Sequence, residues 1–154
     1  MKIKDSGKRR EFESGAVRDI TEGKGRCDLM PLGVVKHLLH MDSIVKHLQS
    51  FMEHGHTWAL YKALDDFATD TYDGSTETML LEVAIQFEDG CKKYGENNWQ
   101  KGIPTSCYID SALRHYLKFL RGDKDEPHDR AFVWNLMCCI WEVDYHGKNN
   151  NVLQ

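Results

Sequence analysis

Apolar residues recur along most of this 154-residue chain at the spacing of an amphipathic α-helix. The stretch from Ala131 to Trp141 is apolar on nearly every side, which predicts that it forms the most buried helix. No stretch alternates with the period of two that marks a half-exposed strand, so we expect an all-α fold without a sheet. The pattern predicts a compact helical bundle, with helices near residues 31–54, 57–68, 76–93, 107–121 and 127–143.

The length suggests one domain, which we place at residues 14–146 between flexible ends at 1–13 and 147–154. The N-terminus lacks the apolar run of a signal peptide, and no apolar stretch is long enough to span a membrane. The five cysteines form no C-x-x-C pair, which favours reduced thiols in a cytoplasm. The net charge of −4 argues against direct DNA or RNA binding, so an anionic ligand would need local cations.

Residues 88–102 hold a mixture of side chains that hydrophobic patterning does not explain. We interpret this segment as the lip of a nucleotide site. Its carboxylate suits a metal ion, its lysines suit phosphates, and its amides and indole suit a nucleobase. The candidate residues of this segment are Glu88, Lys92, Lys93, Asn97, Asn98, Trp99 and Lys101.

Glu88 is the carboxylate of this segment that we expect to bind the metal. On a helical wheel it lies at the edge of the predicted core, beside Leu81 and Ala84, whereas Glu82 and Asp89 point away. A carboxylate at a core boundary needs a partner, because desolvating it unpaired is costly. The predicted core stripe of this helix consists of Leu80, Val83, Ala84, Phe87 and Cys91.

A second glycine-rich segment precedes the first predicted helix. Gly23 and Gly25 flank Lys24, and Arg18 and Arg26 lie close by in the sequence. Glycines let backbone N–H groups approach an anion, and the basic side chains can neutralise it. We expect this segment and residues 92–101 to meet on one ligand; a flexible, solvated arm is the alternative.

Polar residues in the last two predicted helices are further candidates. Asp110 and Arg114 are four residues apart, which fits either a helix-surface ion pair or a phosphate-binding role. His128 and Asn135 are seven residues apart and so lie on the same face of the most apolar helix. They are either site residues or buried core residues whose polar groups are hydrogen-bonded. The acidic turn that contains Asp125 favours the site.

Two stretches carry a resemblance to a known family. Ser14-Gly-Ala-Val-Arg-Asp19 together with Gly23-Lys-Gly-Arg-Cys-Asp-Leu-Met-Pro31, and Lys92-Lys-Tyr-Gly-Glu-Asn-Asn-Trp-Gln-Lys-Gly102 followed by Ser111-Ala-Leu-Arg-His115, resemble the phage dATP/dGTP diphosphohydrolase family. The resemblance implies splitting of a purine deoxynucleoside triphosphate into the monophosphate and pyrophosphate. In some phages this supplies dGMP for 2-aminoadenine nucleotides, which replace adenine in the DNA.

The family is similar in activity to the all-α MazG-like pyrophosphohydrolases, whose metal motif is Glu-Glu-x-x-Glu on one helix and Glu-x-x-Asp on another. This chain departs from that motif: Glu82 and Glu88 have the wrong spacing, and Asn135 stands where an aspartate is expected. We expect Mg²⁺, with Mn²⁺ or Co²⁺ possible, on Glu88, Asp125 and His128, and catalysis by Glu88, Lys92 and His128. The expected substrate-binding residues are Arg18, Lys24, Arg26, Lys93, Asn97, Asn98, Trp99, Lys101, Arg114, His115 and Asn135.

The resemblance also implies an assembly and a location. MazG-like enzymes are usually oligomers, so we expect a homo-dimer or tetramer with the 31–54 helix near the interface, in the host cytoplasm if the protein is phage-encoded. Two other hypotheses stay open: a non-catalytic nucleotide-binding or assembly module on the same fold, and a hydrolase whose transition metal is held by His115, His128 and Asp125.

Overall fold

The computed structural model describes residues 4–147. Six α-helices and one small hairpin make up the fold, so the expected all-α class is confirmed. The flexible tail was expected at residues 147–154, and all of it except Gly147 lies outside the described residues. The elements are β1 (Arg9–Glu11), β2 (Val17–Asp19), α1 (Leu32–Leu38), α2 (Ser43–His54), α3 (Thr57–Tyr72), α4 (Thr76–Tyr94), α5 (Thr105–Arg121) and α6 (His128–Trp141), with 3₁₀ turns at Cys27–Leu29 and Asn98–Lys101 and a π-helical turn at Glu142–Gly147.

The hairpin shows that the expectation of no sheet is wrong. Its strands are antiparallel, with Arg10 opposite Arg18 in the register. Each strand has only three residues, and all of those in β2 are half-buried, so no period-two alternation can appear in the sequence. β1 lies in residues 1–13, which we expected to be flexible, and β2 lies in the basic, glycine-containing segment that follows.

The predicted 31–54 helix is two helices, α1 and α2. His40 and Met41 have φ angles of 58° and 62°, which interrupt the helical backbone. Asp42 then caps α2, because its side chain accepts a hydrogen bond from the Val45 N–H at 2.9 Å. Apolar spacing continues across the break, so the pattern alone does not reveal it.

The buried face of α4 differs from the predicted stripe. Met79, Val83 and Gln86 are buried, whereas Leu80 is 45% exposed and Ala84 is also exposed. Apolar residues occupy a wide arc of this helix, and the sequence alone cannot show which part of the arc packs against the core. The error rotates the predicted face, and it is why Glu88 was expected at the edge of the core.

The helices α5 and α6 form the centre of the bundle. A six-residue connection joins them, and the side-chain contacts of His115 with His128 and of Arg18 with both Ser111 and Asn135 show that they run antiparallel. The expected burial of α6 is confirmed, since ten of its fourteen residues are buried. From α3, the ring of Phe67 lies 4.6 Å from that of Phe132 and 5.3 Å from that of Phe119, measured between centroids.

Asp42 joins the cap of α2 to the core, because its second oxygen accepts a hydrogen bond from the buried Tyr116 hydroxyl at 2.5 Å. We expect Asp42→Ala to lower the free energy of unfolding by about 2 kcal/mol, since it removes a cap and leaves a buried hydroxyl unpaired. Urea denaturation measures this loss. Ser75→Ala is the matched control: Ser75 caps α4 through the Thr78 N–H, and its loss should cost only about 1 kcal/mol. Equal losses would contradict the role of the Tyr116 contact.

Candidate active site

A cavity of about 490 Å³ lies between the hairpin, α4, α5 and α6. Each helix presents residues three, four or seven apart to it, such as Gln86, Gly90 and Lys93 of α4. Six cationic side chains and three carboxylates line the cavity, so it is basic although the whole chain has a net charge of −4. The cations are Lys4, Arg18, Lys24, Lys93, Arg114 and Lys118, and the carboxylates are Asp5, Asp19 and Glu126.

Asn98 holds the hairpin against the helices. Its Oδ1 accepts a hydrogen bond from the Val17 N–H at 2.8 Å, and its Nδ2 donates to the Val17 carbonyl at 2.7 Å. The next N–H of this edge of β2, that of Asp19, donates to the Tyr94 hydroxyl at 3.0 Å. The side chains of Asn98 and Tyr94 thus satisfy the edge of β2 that a third strand would otherwise pair with. Arg18, which lies between Val17 and Asp19 in β2, faces the cavity.

Arg18 crosses from the hairpin to the two central helices. Its Nη2 donates to Ser111 Oγ and to Asn135 Oδ1, both at 3.1 Å. Its guanidinium carbon lies 5.3 Å from the ring centroid of Tyr108 and 5.7 Å from that of Trp134, within the range of cation–π attraction. The guanidinium therefore has a defined orientation in the cavity wall.

Arg114 connects the glycine-rich segment to α5. Its Nη2 donates at 2.6 Å both to Asp110 Oδ2 and to the Gly25 carbonyl. Asp110 Oδ1 also accepts a hydrogen bond from the Cys27 N–H at 2.6 Å. The side chains of Asp110 and Arg114 are only 3% and 9% exposed, so the pair is buried, and of the two alternatives the helix-surface ion pair is wrong.

Two histidines meet at the end of the cavity near the α5–α6 connection. His115 Nδ1 and His128 Nδ1 are 2.9 Å apart, and His128 Nε2 is 2.7 Å from Asp125 Oδ1. Because a carboxylate only accepts, His128 Nε2 donates to Asp125; in the tautomer whose proton is on Nε2, His128 Nδ1 accepts a hydrogen bond from His115. Burial, followed by the neighbouring His128, holds the pKa of His115 well below its usual value, so this ring is neutral near pH 7.

Asp125 and the N-terminal segment contact each other here. Lys4 Nζ lies 2.5 Å from Asp125 Oδ2, and Lys93 Nζ donates to the Lys4 carbonyl at 2.5 Å. Hydrogen bonds from Lys4 and then from His128 hold the pKa of Asp125 well below its usual range. The carboxylate is therefore ionised, as an orienting partner of His128 must be.

Among residues 4–147, two overlapping groups could hold a metal ion, and both include His128. One group is His115, Glu126 and His128; the other is Asp123, Asp125 and His128; in each, the ligand atoms lie within 4.8 Å of one another. The first group fits an ion better, because His128 Nδ1 could exchange its contact with His115 Nδ1 for an ion while its Nε2–H still donates to Asp125. Metal-binding histidines are usually oriented in this way by a carboxylate. His115 and Glu126 also line the cavity, whereas Asp123 and Asp125 do not.

Seven of the predicted substrate-binding residues come together around the cavity: Arg18, Lys24, Lys93, Asn98, Arg114, His115 and Asn135. Asp125 and His128 lie directly behind His115. The expected meeting of the glycine-rich segment with the 92–101 segment is thus seen in Lys24, Lys93 and Asn98. Whether any of these residues binds a substrate stays a prediction.

The other predicted site residues lie away from the cavity lining. Glu88 is 67% exposed and 3.8 Å from Lys92, so its expected place at the core edge is wrong. The ring of Trp99 packs against Phe87 and Trp141, at centroid distances of 5.8 and 5.0 Å. Arg26 forms a two-pronged ion pair with Asp28, Asn97 begins a 3₁₀ turn, and Lys101 is exposed.

Sequence reasoning missed Gln86, Ser111, Lys118, Glu126 and Trp134, all of which line the cavity. Gln86 left one signal in the sequence. It lies seven residues after Met79 and three after Val83, so it is a polar residue on the true apolar face of α4. Trp134 left no comparable signal, because a tryptophan in an apolar helix is normally a core residue.

A family model described as dATP/dGTP diphosphohydrolase, N-terminal, matches residues 70–151, just over half of the chain. The chain belongs to the dATP/dGTP diphosphohydrolase N-terminal family. No curated protein and no solved structure shows a significant match. The matched residues include all of α4, α5 and α6, and thus three walls of the cavity; the hairpin lies outside them.

The family's name indicates a diphosphohydrolase, which agrees with a basic cavity beside groups that could hold a metal ion. Within residues 4–147, no helix combines the length and the apolar character that crossing a bilayer requires.

Asn98 is the residue whose loss should detach the hairpin from the cavity. We expect Asn98→Asp to lower the free energy of unfolding by about 2 kcal/mol, because an acceptor would then face the Val17 carbonyl. Amide hydrogen exchange should increase in residues 9–19. Asn97→Asp is the matched control, because Asn97 has a left-handed backbone that aspartate tolerates and no side-chain capping bond. Unchanged exchange in the hairpin of Asn98→Asp would contradict this role.

Proposed function

We propose that this protein hydrolyses purine deoxynucleoside triphosphates, dGTP and/or dATP, into the deoxynucleoside monophosphate and pyrophosphate. The observation that carries the proposal is the cluster of six cations around one cavity, three of whose walls belong to the segment that matches the family. The triphosphate is the part of such a substrate whose negative charge these cations would neutralise. The positive charge is local to the cavity, because the net charge of the whole chain is negative.

The cavity cations are arginines held by several hydrogen bonds and lysines, of which Lys24 is ion-paired with Asp19 at 3.3 Å. Arg18 and Arg114 are fixed by hydrogen bonds to neighbouring side chains and backbone. Lys24 and Lys118 extend from the glycine-rich segment and from α5 to the same cavity. Arg114 is a fixed donor that can orient the phosphates, and lysines can follow the charge that develops on the leaving pyrophosphate. In the reaction the atoms of one water are divided between the monophosphate and the pyrophosphate as the bridging P–O bond breaks.

A divalent ion is part of the proposal, held by His115, Glu126 and His128, with Asp125 orienting His128. Two imidazoles and one carboxylate suit Mn²⁺ or Co²⁺ better than the Mg²⁺ that the sequence led us to expect, because Mg²⁺ prefers oxygen ligands. A bound ion would neutralise phosphate charge and lower the pKa of water. The assignment of the metal to Glu88, with Asp125 and His128 as direct ligands, is the competing proposal.

The setting of the activity is proposed from the resemblance. We place the enzyme in phage nucleotide metabolism, where it would support synthesis of 2-aminoadenine DNA. All five cysteines are free, which favours a reducing cytoplasm.

A homo-dimer or tetramer would cover the apolar residues that the 31–54 segment exposes, namely Val34, Leu38, Met41 and Met52. We propose no direct contact with DNA or RNA.

A non-catalytic nucleotide-binding module is the second candidate function. One observation favours it: among the described residues, α4 presents no carboxylate to the cavity, only Gln86, Gly90, Lys93 and Tyr94. A protein of this class would bind the triphosphate and release it unchanged.

Product analysis tests the proposed function. The protein is incubated with each of the four deoxynucleoside triphosphates and with Mg²⁺, Mn²⁺ or Co²⁺, and the products are separated by anion-exchange chromatography. We expect a monophosphate and pyrophosphate from dGTP or dATP, with the highest rate in Mn²⁺ or Co²⁺. Release of inorganic triphosphate and a nucleoside would contradict the reaction, and binding without turnover would support the second candidate.

One pair of variants distinguishes the two metal assignments. Glu126→Gln should lower turnover by about two orders of magnitude and weaken Mn²⁺ binding in calorimetry, because it removes a charged ligand. Glu88→Gln makes the same change on an exposed residue, so it should leave turnover within about twofold and the melting temperature unchanged. A large loss in Glu88→Gln with none in Glu126→Gln would assign the metal to Glu88 instead.

A further inference from the structure

The cavity wall contains buried polar atoms without partners. Six buried side-chain nitrogen or oxygen atoms of the described residues lack a hydrogen bond, and four of them belong to residues that line the cavity. Leaving such groups unpaired costs free energy, and native proteins contain few of them. Their concentration around one cavity indicates a polar ligand. The four atoms are Arg18 Nη1, Gln86 Oε1, Arg114 Nε and Trp134 Nε1.

Two of these atoms, in Arg18 and Trp134, belong to one end of the cavity, and Gln86 of α4 lines the same cavity. The guanidinium of Arg18 lies 5.7 Å from the ring centroid of Trp134. Gln86 is only 8% exposed. Arg18 bonds Asn135, which is seven residues and thus roughly 10 Å along α6 from His128. This end is therefore separate from the histidine pair.

The other amides of the cavity are already occupied. Asn98 uses both its oxygen and its nitrogen on Val17. Asn135 accepts from Arg18 and donates to the Ala131 carbonyl at 2.8 Å. Asn98 and Asn135 were both expected to bind the substrate, yet each has structural partners. Gln86 is the lining amide, within the described part of the chain, whose oxygen is buried and still free for a ligand.

We propose that Arg18, Gln86 and Trp134 form a base-reading pocket that selects guanine over adenine; this rests on the proposed nucleotide substrate. Arg18 and Trp134 each offer an N–H that can only donate, and Gln86 offers an oxygen that accepts. Guanine presents the acceptors O6 and N7 next to the donor N1–H. Adenine has an amino group in place of O6 and an acceptor at N1, so buried donors would face a donor. A guanine base satisfies all three protein atoms.

Kinetics of a single substitution test the pocket. We expect the wild-type protein to have a dGTP to dATP ratio of kcat/KM of at least about tenfold, and Gln86→Leu to reduce that ratio by about tenfold. The melting temperature should stay the same or rise, because leucine removes an unpaired buried amide. Gln49→Leu is the matched control. Gln49 lies on α2, outside the cavity lining, and donates to Glu53, so the ratio should not change.

An analogue identifies the edge of the base that is read. dITP keeps O6, N7 and N1–H but lacks the 2-amino group, so it should be turned over like dGTP. A wild-type protein that treats dGTP and dATP alike, that rejects dITP as strongly as dATP, or whose Gln86→Leu variant keeps the full preference for guanine would overturn the proposal.

Equilibrium binding separates this inference from the proposed function. Calorimetry with dGMP and dAMP on the metal-free protein requires no turnover. Tighter binding of dGMP, by about tenfold, that disappears in Gln86→Leu would support the pocket even if no triphosphate were hydrolysed. Equal binding of the two monophosphates would overturn the pocket even in an active diphosphohydrolase.

Discussion

The cavity depends on one buried ion pair, that of Asp110 and Arg114 in α5. Each partner reaches beyond its own helix: Asp110 accepts from the Cys27 N–H, and Arg114 donates to the Gly25 carbonyl. A buried pair is stabilised by additional hydrogen bonds to its charged groups, and here the backbone of residues 25–27 supplies two, while Arg114 Nε keeps no partner. The same contacts fix the position of the glycine-rich segment, and hence of Lys24, beside α5. Removing either charge would leave the other buried and unpaired.

The N-terminal segment completes a site that the central helices leave open. The helices α4, α5 and α6 supply three walls, and they lie within the residues that match the family. Residues 4–28 supply the remaining wall through Arg18, the pairing of Val17 with Asn98 and the ion pair of Lys4 with Asp125. Five of the six cations of the cavity come from or contact this segment: Lys4, Arg18, Lys24, Lys93 and Arg114. The ability to hold an anion is therefore a property of the assembled domain.

The misplaced face of α4 has a physical cause, which is that helical periodicity identifies the buried face only when the apolar arc is narrow. In α6 nearly every position is apolar, so burial was predicted correctly. In α4 the apolar arc is wide, and the predicted stripe was rotated away from Met79 and Gln86. Glu88 was consequently expected at the core, where it would have needed a partner, although it is solvated beside Lys92. At His40 and Met41 the chain turns between two helices without a break in apolar spacing.

The sequence by itself determined the all-α class, the buried last helix, the family, and the two glycine-containing basic segments whose lysines line one cavity. These features are local, because they depend on composition and on residues close together along the chain. Only the tertiary structure decided which polar groups are occupied and which are free. Asn98, Asn135 and Gln86 are alike in the sequence as amides, but two are bonded within the protein, and Gln86 keeps a buried oxygen without a partner. Pairing between residues up to 117 positions apart, as in Arg18 and Asn135, sets that difference, and local pattern carries no record of it.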